Sequence, residues 1–276
     1  VNVIRRLGLN RNRLPGPAFF VALFLSLFFA AASFAQQLRI AAAADLQFAL
    51  SDLASQYERQ SGAKLAVTFG SSGNFFAQIQ NGAPFDLFFS ADSGYPKKLI
   101  EGGFAEADSL QTYAFGHLVL WVPADSPLDP AQSGIKALLD PRVQKIAVAN
   151  PDHAPYGRAA VAALQKSGLY DQLKPKLVFG ENISQAAQFV QSGSAQAGLI
   201  ALSLTVSPAM KDGKRWEVPP DWYPPLEQAV VVLKSSPNKP AAVAFLAFLK
   251  TPAARATLER YGFVLPGASA QVNTRP

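Results

Sequence analysis

Cysteine is absent from the 276 residues, and histidine occurs twice. The first absence excludes disulfides, thiolate nucleophiles and cysteine-held metals. The second leaves His117 and His153 without the clustered partners a zinc site needs. Neither a GxGxxG fingerprint nor a phosphate-binding P-loop occurs. The turn GSSG at Gly70–Gly73 is not the G-x-S-x-G elbow of serine hydrolases, and a nucleophilic serine needs a base within hydrogen-bond reach. His117 is embedded in the apolar run HLVLWV, and His153 sits in the loop NPDHAPYG. No base–nucleophile pair is visible, so neither an enzyme activity nor a cofactor is expected.

A strong positive charge is also missing from the body of the chain. The formal charge is +6, from 25 basic and 19 acidic residues. Arg5, Arg6, Arg11 and Arg13 supply four of the bases within the first 35 residues, where no acid occurs, so 21 bases remain against 19 acids. A nucleic-acid partner loses its electrostatic basis and is not expected. The same N-terminal stretch has the order of a secretory leader. The arginines precede an apolar core, Phe19–Ala32, that is too short for a comfortable membrane span. Ser33-Phe34-Ala35 then presents small residues at the two positions a signal peptidase reads. We expect residues 1–35 to be a signal peptide cleaved after Ala35, and the mature chain to work in the periplasm.

From Leu38 onward, short apolar runs alternate with helical patterns. LRIAAAA, KLAVTF (Lys64–Phe69) and DLFFSA (Asp86–Ala91) read as strands, with helices between them. HLVLWV (His117–Val122) is a further extended run. The cycle then restarts with KIAVA (Lys145–Ala149), KLVF (Lys176–Phe179) and AGLIAL (Ala197–Leu202), again separated by helical stretches. EQAVVVL (Glu227–Leu233) is another strand, PPDWYPP reads as an irregular surface segment, and two helices follow near the end. Alternating βα units, seen twice, argue for an α/β chain with two mostly parallel sheets flanked by helices.

In such sheets ligands sit beyond the carboxyl ends of strands, where helices begin and their first N–H groups lack partners. Four junctions are equipped for an anion: Ala44-Asp45, Ser71-Ser72-Gly73, Pro155-Tyr156-Gly157 and Asn182-Ile183-Ser184. Each residue also has an ordinary reading. Ser71 and Ser72 are good helix caps, Asp45 suits the N-cap of the helix that follows it, and Tyr156 can be simple packing.

Three blocks carry more than local chemistry: AAADLQFAL after the first strand, FGSSGNFFAQIQNGAPFDLFFSAD (Phe69–Asp92) and NPDHAPYGRAA (Asn150–Ala160). In this order they resemble the periplasmic molybdate-binding proteins of ABC transporters, and the resemblance runs from about Leu38 to the last helix. It implies a two-lobed periplasmic binding-protein fold of type II, with the ligand in the interlobe cleft. The implied lobes are residues 36–121 with 231–276, and residues 122–230, with crossovers near Trp121–Ala124 and Glu227–Val232. Carried over residue by residue, the implied oxyanion contacts are Ala44, Asp45, Ser71, Ser72, Tyr156 and Ile183. Some members place a tyrosine where this chain has Ala201 and a small residue where it has Tyr156, which implies a relocated hydroxyl.

The implied ligand is molybdate or tungstate, bound as an oxyanion with no direct metal-ion ligand. The implied partner is the membrane permease, and the binding protein itself a monomer. Sulfate or phosphate is the alternative ligand, and an extracytoplasmic enzyme on an anionic substrate the more distant one. Asp45 is the departure that matters, because some members carry serine or asparagine there and an ionised carboxylate cannot donate to a dianion. We expect its side chain to turn away and cap the following helix, leaving only the backbone N–H toward the ligand. The alternative is a carboxylate that faces the cleft and accepts a proton from the ligand, which would favour a protonated oxyanion such as hydrogen phosphate over molybdate.

Overall fold

A computed structural model describes residues 37–267, so the expected leader lies outside the described residues. The strands are β1 (Leu38–Ala43), β2 (Leu65–Gly70), β3 (Leu87–Ser90), β4 (Gln111–Gly116), β5 (Leu118–Val122), β6 (Ile146–Ala149), β7 (Leu177–Gly180), β8 (Ala197–Ala201), β9 (Lys214–Glu217) and β10 (Leu226–Val232). The longer helices are α1 (Gln47–Ser61), α2 (Ser72–Gln80), α3 (Gly94–Glu101), α4 (Pro155–Lys166), α5 (Ile183–Gln191), α6 (Lys239–Leu249) and α7 (Pro252–Arg260).

The strands form two five-stranded sheets, ordered β2-β1-β3-β10-β4 and β7-β6-β8-β5-β9. In each, three parallel strands built from βα units are completed by antiparallel pairings. β10 runs antiparallel to β3 and β4, and β5 antiparallel to β8 and β9. The two halves are thus organised alike, each finished by a strand that has just crossed from the other.

Those crossings correct the expected boundaries. Only His117 separates β4 in the first sheet from β5 in the second, where Leu118 pairs with Ala201. The return lies between Glu217 and Leu226, because β10 pairs wholly within the first sheet, with Val232 opposite Leu87. Trp121 therefore belongs to the second sheet, and residues 226–230 to the first. A strand's sequence records that it is extended and apolar, but its partners are chosen by distant segments. The return segment is also less superficial than expected. Tyr223 is buried, and its hydroxyl accepts from Leu118 N at 3.2 Å.

Period-two alternation explains the first sheet's apolar runs. Ile40, Ala42, Leu87, Phe89, Val230 and Val232 pack with Leu50, Leu53 and Phe245 on the side of α1 and α6. Ala41, Phe88 and Val231 pack with Phe75, Ile79 and Leu99 on the side of α2 and α3. A sheet covered on both faces reads as a continuous hydrophobic run, which is how these strands read in sequence.

Candidate functional site

The carboxyl ends of β1, β2, β6 and β7 face a common interior. Ala43, Ala44, Asp45, Gly70, Ser71, Ser72 and Ala91 enclose it from the first sheet's side, and Ala154, Pro155, Tyr156 and Ile183 from the second's. All six residues expected at the site are brought together here. The cavity volume is about 10 Å³, far below the roughly 300–1,000 Å³ typical of drug-sized ligands. A small ion suits it better than a sugar or peptide. A wider groove of about 500 Å³, beside α6 and Glu106, lies open on the surface and includes none of these residues.

Local structure aims donors inward. Ser71 is the N-cap of α2, its Oγ accepting from Asn74 N at 3.4 Å. Ser72 Oγ accepts from Ala91 N at 3.0 Å, which leaves its own hydroxyl hydrogen for another acceptor. Asn182 caps α5 through Ser184 N and Gln185 N, both 3.0 Å from its Oδ1. Ile183, the first residue of that helix, thus has an N–H without an intrahelical acceptor. α4 opens with Pro155, and Tyr156 follows it. The Tyr156 hydroxyl is buried and has no hydrogen-bond partner. Among the described residues no lysine or arginine lines the pocket.

The two halves are joined around this interior. Gly73 N donates to His153 O at 2.8 Å, and His153 Nδ1 lies 2.9 Å from Ser71 Oγ. Ser184 Oγ donates to Gln47 Oε1 at 2.6 Å, and Ser203 Oγ to the Asp45 carbonyl at 2.7 Å. Arg158 pairs with Asp92 and reaches Tyr95 Oη at 3.3 Å, while Asn74 donates to Glu181. Asp45, Ser72 and Tyr156 are 1% exposed or less.

Asp45 departs from expectation. Its side chain caps no helix: neither the 3-10 turn Ala44–Leu46 nor α1 has a side-chain cap. The chain turns through Leu46 before α1 begins, so the carboxyl is not placed at that helix's open N–H groups. Instead Asp45 Oδ2 accepts from Gln228 Nε2 at 2.8 Å, and Gln228 Oε1 accepts from Tyr113 Oη at 3.1 Å. Asp45 Oδ1 has no partner. Burial pushes the carboxyl up to about 7, partly offset by the neighbouring Tyr156 hydroxyl and by Gln228. Burial, and then the Asp45 charge, push both Tyr156 and Tyr113 well above the ordinary tyrosine range.

Gln228, Tyr113, Gly73 and His153 were not among the expected site residues. A glutamine inside EQAVVVL was the available signal, since a buried polar side chain needs partners.

Residues 38–264 match the bacterial extracellular solute-binding protein family. The chain belongs to that family. Among its relatives, the molybdate-binding protein ModA of Rhodobacter capsulatus is 41% identical over 225 residues, covering 81% of this chain and 86% of that protein. ModA of Azotobacter vinelandii is 41% identical over 237 residues, covering 86% and 93%. The solved structure of the Azotobacter vinelandii periplasmic molybdate-binding protein superposes with a TM-score of 0.79 at 38% identity, over 83% of this chain and 99% of that one. A Mycobacterium tuberculosis sulfate-binding protein shares the fold, with a TM-score of 0.68 at 16% identity. The two-lobed binding-protein fold and the likeness to periplasmic molybdate-binding proteins thus stand on both sequence and shape.

Proposed function

We propose that this protein is the periplasmic binding component of a molybdate ABC importer. In this reading it captures the tetrahedral oxyanion between its lobes and presents it to the membrane permease. The observation that carries the reading is the closed pocket of hydroxyls and helix starts, lined by no basic side chain among the described residues, in a chain 41% identical to molybdate-binding relatives. Molybdate is a dianion at neutral pH, so each of its oxygens accepts. Hydrogen bonds from Ser71, Ser72, Tyr156 and the N–H groups at Ala44, Asp45 and Ile183 satisfy such acceptors in a dry site. Each charge-assisted bond contributes about 1.5–3 kcal/mol. Because the donors come from both lobes, the anion favours the closed arrangement.

Tungstate has nearly the same size and charge and belongs to the same reading. The chain acts as a monomeric carrier rather than an enzyme, without a cofactor, and reaches the periplasm after cleavage at Ala35. N-terminal sequencing of the exported protein should begin at Gln36. Calorimetric titration of the mature chain with molybdate, tungstate, sulfate and phosphate tests the ligand. Molybdate and tungstate should bind far more tightly than the other two. Hydrogen phosphate carries a donor of its own for the Asp45 carboxylate, so a preference for phosphate would overturn the molybdate reading.

A further inference from the structure

Two unpaired polar atoms lie inside the pocket wall: Asp45 Oδ1 and the Tyr156 hydroxyl. A pair of orphaned, fully buried groups is costly unless something completes them. Tyr156 Oη stands beside Gly116, where an added Cβ would be 2.2 Å from it and 2.9 Å from Gln228 Nε2. The tyrosine oxygen, the glutamine amide and the carboxyl thus share one small space. Taking the pocket as the oxyanion site proposed above, the single hydrogen of Tyr156 has two competing acceptors, the Asp45 carboxylate and the anion.

We infer that Asp45 takes up one proton when the anion binds, and that this proton releases the Tyr156 hydroxyl to donate to the anion. An O–H bond forms at Asp45 Oδ1 with a proton supplied by the solvent, and no other covalent bond changes. The new O–H donates to Tyr156 Oη, Tyr156 O–H points into the pocket, and Gln228 Nε2 keeps its bond to Oδ2. Asp45 thereby acts as a positioning residue through Tyr156, while its backbone lines the pocket. A carboxylate left ionised would hold the tyrosine hydrogen and repel the dianion.

The groups facing the carboxyl from each neighbouring element support proton uptake. Gln228 on β10 is neutral, Tyr113 on β4 and Tyr156 on α4 are held in their neutral form by burial, and Ser203 after β8 bonds only the Asp45 carbonyl. Ser71 and Ser72 on α2 are neutral. His153, before α4, bonds Ser71 and lies near Glu181, while Arg158 on α4 is taken by Asp92. Tyr223, behind Tyr156, accepts from Leu118 N. Among the described residues no cation is placed to hold Asp45 ionised, and burial already pushes its carboxyl up to about 7.

Calorimetry of molybdate binding at pH 8 in two buffers of different ionisation enthalpy counts the protons taken up by the wild type. The expected count approaches one per anion. Wild-type affinity should fall about fivefold from pH 7 to 8 and about tenfold from pH 8 to 9, over which molybdate itself stays a dianion. Asp45→Asn, whose amide donates to Tyr156 as the protonated acid does, should take up none and give a flat profile. A wild type that binds molybdate without proton uptake and with a flat profile overturns this inference and leaves the molybdate reading standing. A wild type that binds no oxyanion at any pH overturns both.

Discussion

The backbone N–H of Gly73 donates to the carbonyl of His153 at 2.8 Å, joining the first turn of α2 to the loop before α4 across the pocket. An added Cβ at Gly73 would lie 2.7 Å from that carbonyl oxygen, 2.8 Å from His153 Cα and 2.6 Å from Tyr95 Oη. Two of these three are backbone atoms of the opposite lobe, so the clash is relieved only by moving the lobes apart. In the separated state alanine suits a helix better than glycine.

Gly73→Ala should therefore weaken oxyanion binding without weakening the free protein. Forcing a methyl into a packed contact typically costs about 1–3 kcal/mol, or roughly five- to a hundredfold in affinity. Titration and thermal melting of the ligand-free variant check the two halves of this expectation. X-ray scattering with molybdate should also give a larger radius of gyration than the bound wild type. Unchanged affinity would show that this contact is not needed for binding.

Tyr156→Phe separates function from stability in a similar way. The hydroxyl is buried beside the Asp45 carboxyl, so melting the ligand-free variant reads the stability cost of deleting it separately from its effect on binding. The same deletion removes a charge-assisted bond to the anion, worth about 1.5–3 kcal/mol or roughly ten- to a hundredfold in affinity. Ser72→Ala should also lose affinity, and it should cost stability, because Ala91 N loses its acceptor. A Tyr156→Phe protein with wild-type affinity would place the anion elsewhere.

Arg158 joins the lobes at the surface through Asp92 and the ring of Tyr95. Its side chain is 41% exposed, so solvent screens the pair and its contribution is at most about 1 kcal/mol. Arg158→Ala should weaken molybdate binding up to about fivefold. The difference from wild type should shrink as salt rises. Titrations at low and high ionic strength measure both effects, and a salt-independent loss would mean that Arg158 acts through packing instead.

Asp45 should also leave a mark on the free protein's stability. Its folded-state value is raised from an ordinary 3.8 to about 7. The native state then binds more protons than the unfolded chain between those values, so stability is fullest below about 4 and falls as pH rises through about 7. At 1.36 kcal/mol per pH unit, the rise is worth about 4 kcal/mol at most. Asp45→Asn removes the ionisation, so its stability relative to wild type should climb from pH 4 to pH 8. Denaturant titrations of the two proteins across this range measure the difference. A constant difference would mean that the carboxyl does not change its charge there.

By itself the sequence determined the elements whose pattern is local. The strands of the βα units are complete in their own apolar runs, because a parallel strand covered on both faces contains little but apolar residues. Ser71 was legible as a cap residue because a cap bonds N–H groups two or three positions ahead. The residues that line the pocket were legible for a related reason. Each stands where a strand ends and a helix starts, and three distinctive blocks hold most of them.

Tertiary structure alone decided what depends on partners far along the chain. The edge strands β4 and β9, with runs such as KRWE, carry no continuous apolar signal, and pairing with β10 and β5 makes them strands. The crossing at His117 is marked only by Gly116 before it, and the expected boundary fell within β5. Asp45 shows the same limit at a single side chain. Its local context favours a helix cap, but Gln228 is 183 positions away and meets it only after β10 has returned to the first sheet. Local propensity is worth about 1 kcal/mol at a cap, and a buried carboxyl's need for a hydrogen-bond donor exceeds that. The long-range partner therefore prevails.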